Sequence, residues 1–218
     1  AKAAEQYLNR ANIVDLTITA ADVYRKTLGL QPDCLCATLL TITTTDTGFL
    51  VHVAGDGVIV ARHKETGLET HSLEYSTGAP YYAKYNIFTN DYDRYLTEFP
   101  GNFCVDINGD VTEFTIGEEY GTKPYIIEFP FEEYDLVGIM SDGIKTFYTK
   151  EKDNTTLVMK PVLSDSIIKE MFSFKGYNGD FVKRRCLKAL RTFKSEGIEH
   201  YDDFSIAVIM KEEDEKIL

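Results

Sequence analysis

Between Ala37 and Ala61 the apolar residues fall two apart, and that spacing restricts the fold more than any other feature of the chain. Leu39, Leu40 and Ile42 are followed by Phe49, Val51 and Val53, then by Val58 and Val60. Asp46-Thr47-Gly48 and Gly55-Asp56-Gly57 interrupt the series. Period two places alternate side chains on one face of a strand, and Gly with Asp supplies turn geometry. The expectation is a three-strand antiparallel meander.

Elsewhere helices and strands take turns in blocks. Ala3, Ala4, Tyr7 and Leu8 have helical spacing from an uncapped start, and a second helix is expected from Thr19 and Asp22, a capping-box-like pair, to Gly29. Tyr125 to Phe129 and Leu136 to Met140 read as neighbouring strands. The Gly-, Tyr- and Asn-rich stretch from Gly67 to Gly121 suggests further strands and a mobile loop, a position from which it could gate a substrate. Val182, Cys186, Ala189, Leu190 and Phe193 mark an amphipathic helix, Ser205 to Met210 a last core strand, and 211–218 a charged tail. Blocks of strands between helices argue for α+β, with helices packed on sheets, rather than alternating βαβ units. The expected organisation is one domain over residues 1–218.

Composition narrows the function classes. A hydrophobic fraction of 44% over 218 residues supports a sizeable core. No apolar run approaches the roughly 20 residues that span a bilayer, which points to a soluble, cytoplasmic protein with no membrane partner. A formal charge of −12 repels a phosphate backbone, so no nucleic-acid partner is expected. Cys34, Cys36, Cys104 and Cys186 lack zinc-site spacing and read as small buried hydrophobes in a reducing compartment. His52 reads as a packed or partly exposed structural residue of a strand, while His200, close to Asp202, is the histidine placed to touch an acidic cleft. No GxSxG, HExxH or P-loop motif occurs.

Three acidic motifs carry the chemistry. Gly55-Asp56-Gly57 lies between apolar strands and is, by itself, a hairpin turn. Ser141-Asp142-Gly143 ends the apolar run Leu136 to Met140 and is either a strand-terminating turn or a carboxylate at a sheet edge poised for Mg²⁺ or Mn²⁺. Asp202-Asp203 precedes the last strand and is open to the same two readings.

Taken in this order, the three motifs resemble those of the metal-dependent serine/threonine phosphatases of the type 2C family. The resemblance covers roughly Ala1 to Met210, and Tyr85-Asn86-Ile87-Phe88-Thr89 after Glu74-Tyr75 is similar to a bacterial-type branch. It implies two packed antiparallel β-sheets flanked by helices, an αββα sandwich, here without its N-terminal strands. It also implies two Mg²⁺ or Mn²⁺ ions, a metal-activated water as nucleophile, and a phosphoserine or phosphothreonine protein as substrate, with no catalytic side chain needed. By that resemblance Asp142 and Asp202 are metal ligands, Asp56 belongs to a third site, and Gly143 and Asp203 support the site through backbone or surrounding contacts. Asp203 stands where the family usually has asparagine. Thr146 stands where a second acid for the third site is frequent.

The family's upstream Glu-Asp and Asp-Gly motifs do not occur in Ala1 to Leu30. The expectation is therefore a fragment of an enzyme, itself a poor metal binder with little or no turnover. The alternative is an inactive phosphatase-like domain that binds a partner protein and regulates it.

Overall fold

The computed structural model of the chain describes residues 13–117, 124–153 and 156–211. The first expected helix and the tail beyond Lys211 lie outside the described residues. Strands β1 (Leu39–Thr44), β2 (Gly48–Ala54), β3 (Gly57–His63), β4 (Gly67–Tyr75), β5 (Asn102–Ile107) and β6 (Asp110–Thr115) come first. They are followed by β7 (Tyr125–Pro130), β8 (Tyr134–Met140), β9 (Phe147–Asp153), β10 (Thr156–Pro161), β11 (Ile198–His200) and β12 (Ile206–Met210). The helices are α1 (Ile13–Thr27), α2 (Thr89–Glu98), α3 (Ser164–Phe172) and α4 (Phe181–Ser195). The strands make three antiparallel sheets, so the α+β class expected from the sequence is present. Two compact units divide the chain, one of residues 1–139 and 209–218 and the other of residues 140–208.

In the first unit the three strands expected as a meander all form, but they do not make one sheet. β2 pairs with β1 and β7, whereas β3 pairs with β4 in a sheet ordered β12-β8-β3-β4-β5-β6. Gly55-Asp56-Gly57 therefore carries the chain from one sheet to another and is not a hairpin turn. At Gly55 the backbone has φ +112°, and a Cβ there would lie 2.6 Å from Thr38 Oγ1. Likewise β7 and β8 are not neighbours, because β7 joins β2 and β8 joins the larger sheet.

The reason is burial on both faces. Every residue of β2 is buried, and so are Gly57 to Ala61 of β3. Phe49, Val51, Val53 and Phe129 share one core with Ile59, Leu73, Phe103, Val105 and Val137. The two sheets of this unit thus pack face to face, and each large apolar side chain buried there contributes roughly 1.5–3 kcal/mol. On the opposite face Ala54 packs with Val14 and Ile18 of α1. A strand covered by a sheet on one side and a helix on the other carries no polar alternation to show which strand it pairs with.

Helix α1 begins well before Thr19 and Asp22, which lie in its interior rather than at a cap. Asp22 is buried and accepts from Arg25 at 2.7 Å and Lys26 at 2.6 Å. The helix does stop before Gly29, with Leu30 N–H donating back to Arg25 O at 3.0 Å. The expected strands within Gly67 to Gly117 are present, together with α2, which was not expected. Cys34 and Cys36 are exposed, contrary to the burial expected of them, because Pro32–Leu35 forms a 3-10 turn rather than a strand.

In the second unit β10, β9 and β11 form a small sheet, and α3 packs against α4. Neither this sheet nor α3 was expected from sequence. Helix α4 matches its amphipathic pattern, with Ala189 and Phe193 buried. β12 forms where expected, but its residues are half-buried or exposed at the edge of its sheet rather than core.

Candidate metal centre

The second unit brings together two acidic turns that lie about sixty residues apart in sequence. Asp142 opens a 3-10 turn, Asp142–Lys145, directly after β8. Asp202 and Asp203 lie between β11 and β12. Two hydrogen bonds pin the strand ends: Ser141 N–H donates to Ser205 O at 3.1 Å, and Ser205 N–H donates to Ser141 Oγ at 2.9 Å.

Gly143 allows the closest approach. A Cβ at this position would lie 2.1 Å from Asp203 O and 2.8 Å from its carbonyl carbon. Backbone therefore rests on backbone, which only glycine permits here. Thr146 adds a third tie, its hydroxyl donating to Gly143 O at 2.7 Å and accepting from Asp202 N–H at 3.3 Å.

Asp142, Asp202 and Asp203 are all exposed, while Gly143 is buried. One carboxylate oxygen of Asp202 accepts the Asp203 N–H at 2.9 Å, and its backbone carbonyl contacts His200 Nδ1 at 3.0 Å. His200 is thus beside Asp202, but its ring packs with Phe147 at 5.0 Å and Phe204 at 5.6 Å between centroids. Beneath the turn, Phe147 also meets Phe193 and Phe204. Glu199 on β11 is tied to Lys150 and Tyr148 of β9; the Lys150 ammonium, then the Tyr148 hydroxyl, hold its carboxyl below the ordinary glutamate range. That pair is exposed and anchors β11 only modestly.

Asp56 belongs to the first unit. It is half-buried, and Thr38 donates its hydroxyl to Asp56 Oδ1 at 2.8 Å. The turn that carries Asp142 and Gly143 and the turn that carries Asp202 and Asp203 meet through Gly143 and the Asp203 backbone. Ser141, Ser205 and Thr146, which hold them together, were not singled out for that role by sequence; hydroxyls flanking two acidic turns were the available signal.

No protein-family model, curated protein or solved structure matches the chain. The site is therefore read from its own residues. Its donors are carboxylates and carbonyls, the hard oxygen ligands that suit Mg²⁺ and Mn²⁺ rather than zinc or copper. Among the described residues no group of three or more His, Cys, Asp and Glu is placed to enclose a cation. The donors fit such an ion in kind, as an open site where one or two carboxylates suffice because Mg²⁺ retains several waters.

Proposed function

We propose that this chain is part of a metal-dependent serine/threonine phosphatase related to the type 2C family, with an αββα architecture. The observation that carries the reading is the Gly143–Asp203 contact. It joins Ser-Asp-Gly to Asp-Asp, the two motifs assigned to one metal centre by the resemblance. Face-to-face packing of two sheets with α1 on the outer side of one is the arrangement such a domain needs.

In this reading Asp142 and Asp202 hold Mg²⁺ or Mn²⁺, and Asp203 adds negative charge beside them. A divalent ion supplies Lewis acidity, lowering the pKa of water and neutralising phosphoryl oxygens. The chain's own contribution is positioning: the Ser141–Ser205 bonds and the Thr146 bridge fix the two turns before any ligand arrives. Fixed ligands lose little freedom on binding, which favours affinity. Asp56 is proposed for a further, weaker ion, and the substrate is a phosphorylated protein. Four free cysteines support a cytoplasmic location, and no helix among the described residues is long and apolar enough to cross a membrane.

The test is hydrolysis of a phosphothreonine peptide by the full-length protein with Mn²⁺, with EDTA, and in the Asp142→Asn variant. Turnover that needs Mn²⁺ and is lost in the variant supports the phosphatase. A folded protein with no turnover under any condition leaves the regulatory, partner-binding domain as the reading.

A further inference from the structure

Helix α4 is electrostatically out of keeping with the chain. It carries six basic residues and no acidic one in its 15 residues, whereas the whole chain has 35 acids against 23 bases. Arg184 and Lys188 are one helical turn apart, a like-charge pairing that costs stability when no anion lies between.

These charges line a recess. A cavity of about 310 Å³ in the second unit is bounded by Lys175, Arg184, Arg185 and Lys188, with Phe174 and Phe181. No acid lines it. Phe174, Tyr177 and Phe181 pack ring against ring, with centroids 5.1 to 6.1 Å apart, and so hold the segment before α4 against the helix. Arg184 reaches back to Asn178 O, which fixes one wall.

Arg185 is the structural member of the set. It is buried, donates Nε–H to Glu170 O at 2.6 Å, and binds Ser173 Oγ and the Glu170 carboxylate through Nη2. Its Nη1 makes no hydrogen bond or ion pair among the described residues. Glu170 offsets this one cation. Lys175, Arg184 and Lys188 have no acidic partner among the described residues, so three charges remain uncompensated around a recess the size of a small anion and its neighbouring atoms.

We propose that this recess binds a phosphate monoester dianion carried by a protein chain. A dianion matches several converging cations better than a single carboxylate does, and guanidinium groups present paired N–H donors to phosphate oxygens. The recess is too small, and the chain too acidic overall, to follow a polynucleotide backbone. Nothing in this inference depends on the phosphatase reading.

The experiment is calorimetric titration of the full chain in EDTA with a phosphothreonine peptide, the same peptide unphosphorylated, and orthophosphate. The R184Q/K188Q variant is compared with R191Q/K194Q, which removes equal charge from α4 outside the recess. Saturable binding of the phosphopeptide is expected, weakened about tenfold or more in R184Q/K188Q and nearly unchanged in R191Q/K194Q. Phosphopeptide binding tighter than that of orthophosphate marks a protein-borne source; equal affinities mark the free anion as the source. No binding by the folded protein, or equal weakening in both double variants, overturns the proposal.

Discussion

Thr146 Oγ1 lies 3.3 Å from the backbone nitrogen of Asp202, accepting its N–H while donating to Gly143 O at 2.7 Å. One hydroxyl thereby satisfies a donor on one acidic turn and an acceptor on the other. Thr146→Val removes both bonds at nearly constant volume and is expected to cost about 1 kcal/mol, whereas Thr146→Ser retains most of the stability. Urea unfolding of both variants checks this, and equal losses would contradict the role given to the hydroxyl.

Gly143→Ala is expected to be worse. Its Cβ would overlap the Asp203 carbonyl, which is backbone and cannot rotate away. Overpacking of this kind costs about 1–3 kcal/mol. Gly176→Ala in the same unit, where a Cβ meets nothing within 4 Å, is the control and is expected to be near neutral. Similar melting temperatures for the two variants would show that the turns are not held by this contact.

Phe147 supports the Asp202 turn from below and is 1% exposed. Its ring packs with Phe193, His200 and Phe204 at 5.0 to 5.7 Å between centroids. Phe147→Ala is expected to cost about 3–5 kcal/mol. Because His200 and Phe204 flank the turn, amide exchange at Asp202 and Asp203 should accelerate with the loss of stability; unchanged exchange there would separate the turn from the aromatic cluster.

Alkaline pH should act on the first unit through its tyrosines. Burial, and then Tyr92 for Tyr81 and Tyr85 for Tyr95, raise these two phenols well above their ordinary value of 10.0. Burial also raises Tyr75. A folded-state pKa above the unfolded one contributes stability that is complete below pH 10 and lost as pH rises through the window above it. Unfolding above pH 10 should therefore release tyrosinate absorbance in one cooperative step. Tyr81→Phe should make stability fall less steeply with pH in that range, and an unchanged slope would refute the assignment.

What could be read from the chain, and what could not, divides along physical lines. Strands β1, β2, β3, β7, β8 and β12 and helix α4 were legible because their apolar spacing follows local geometry, periods of two and of 3.6. Helix α1 was legible at its stop but not its start, since Thr19 and Asp22 imitate a cap while Asp22 is held inside the helix by Arg25 and Lys26. Strand pairing was not legible. With β2 buried along its whole length, nothing local distinguishes β3 from β7 as its partner, and the shared core of Phe49, Val51, Val53 and Phe129 decides it. The acidic motifs were visible as residues, and by itself the sequence determined which carboxylates exist and that Gly143 carries no side chain. Only the tertiary structure decided that the turn of Asp142 and Gly143 touches the turn of Asp202 and Asp203, because the Gly143–Asp203 approach is backbone contact between segments sixty residues apart, and local spacing carries no record of such contact.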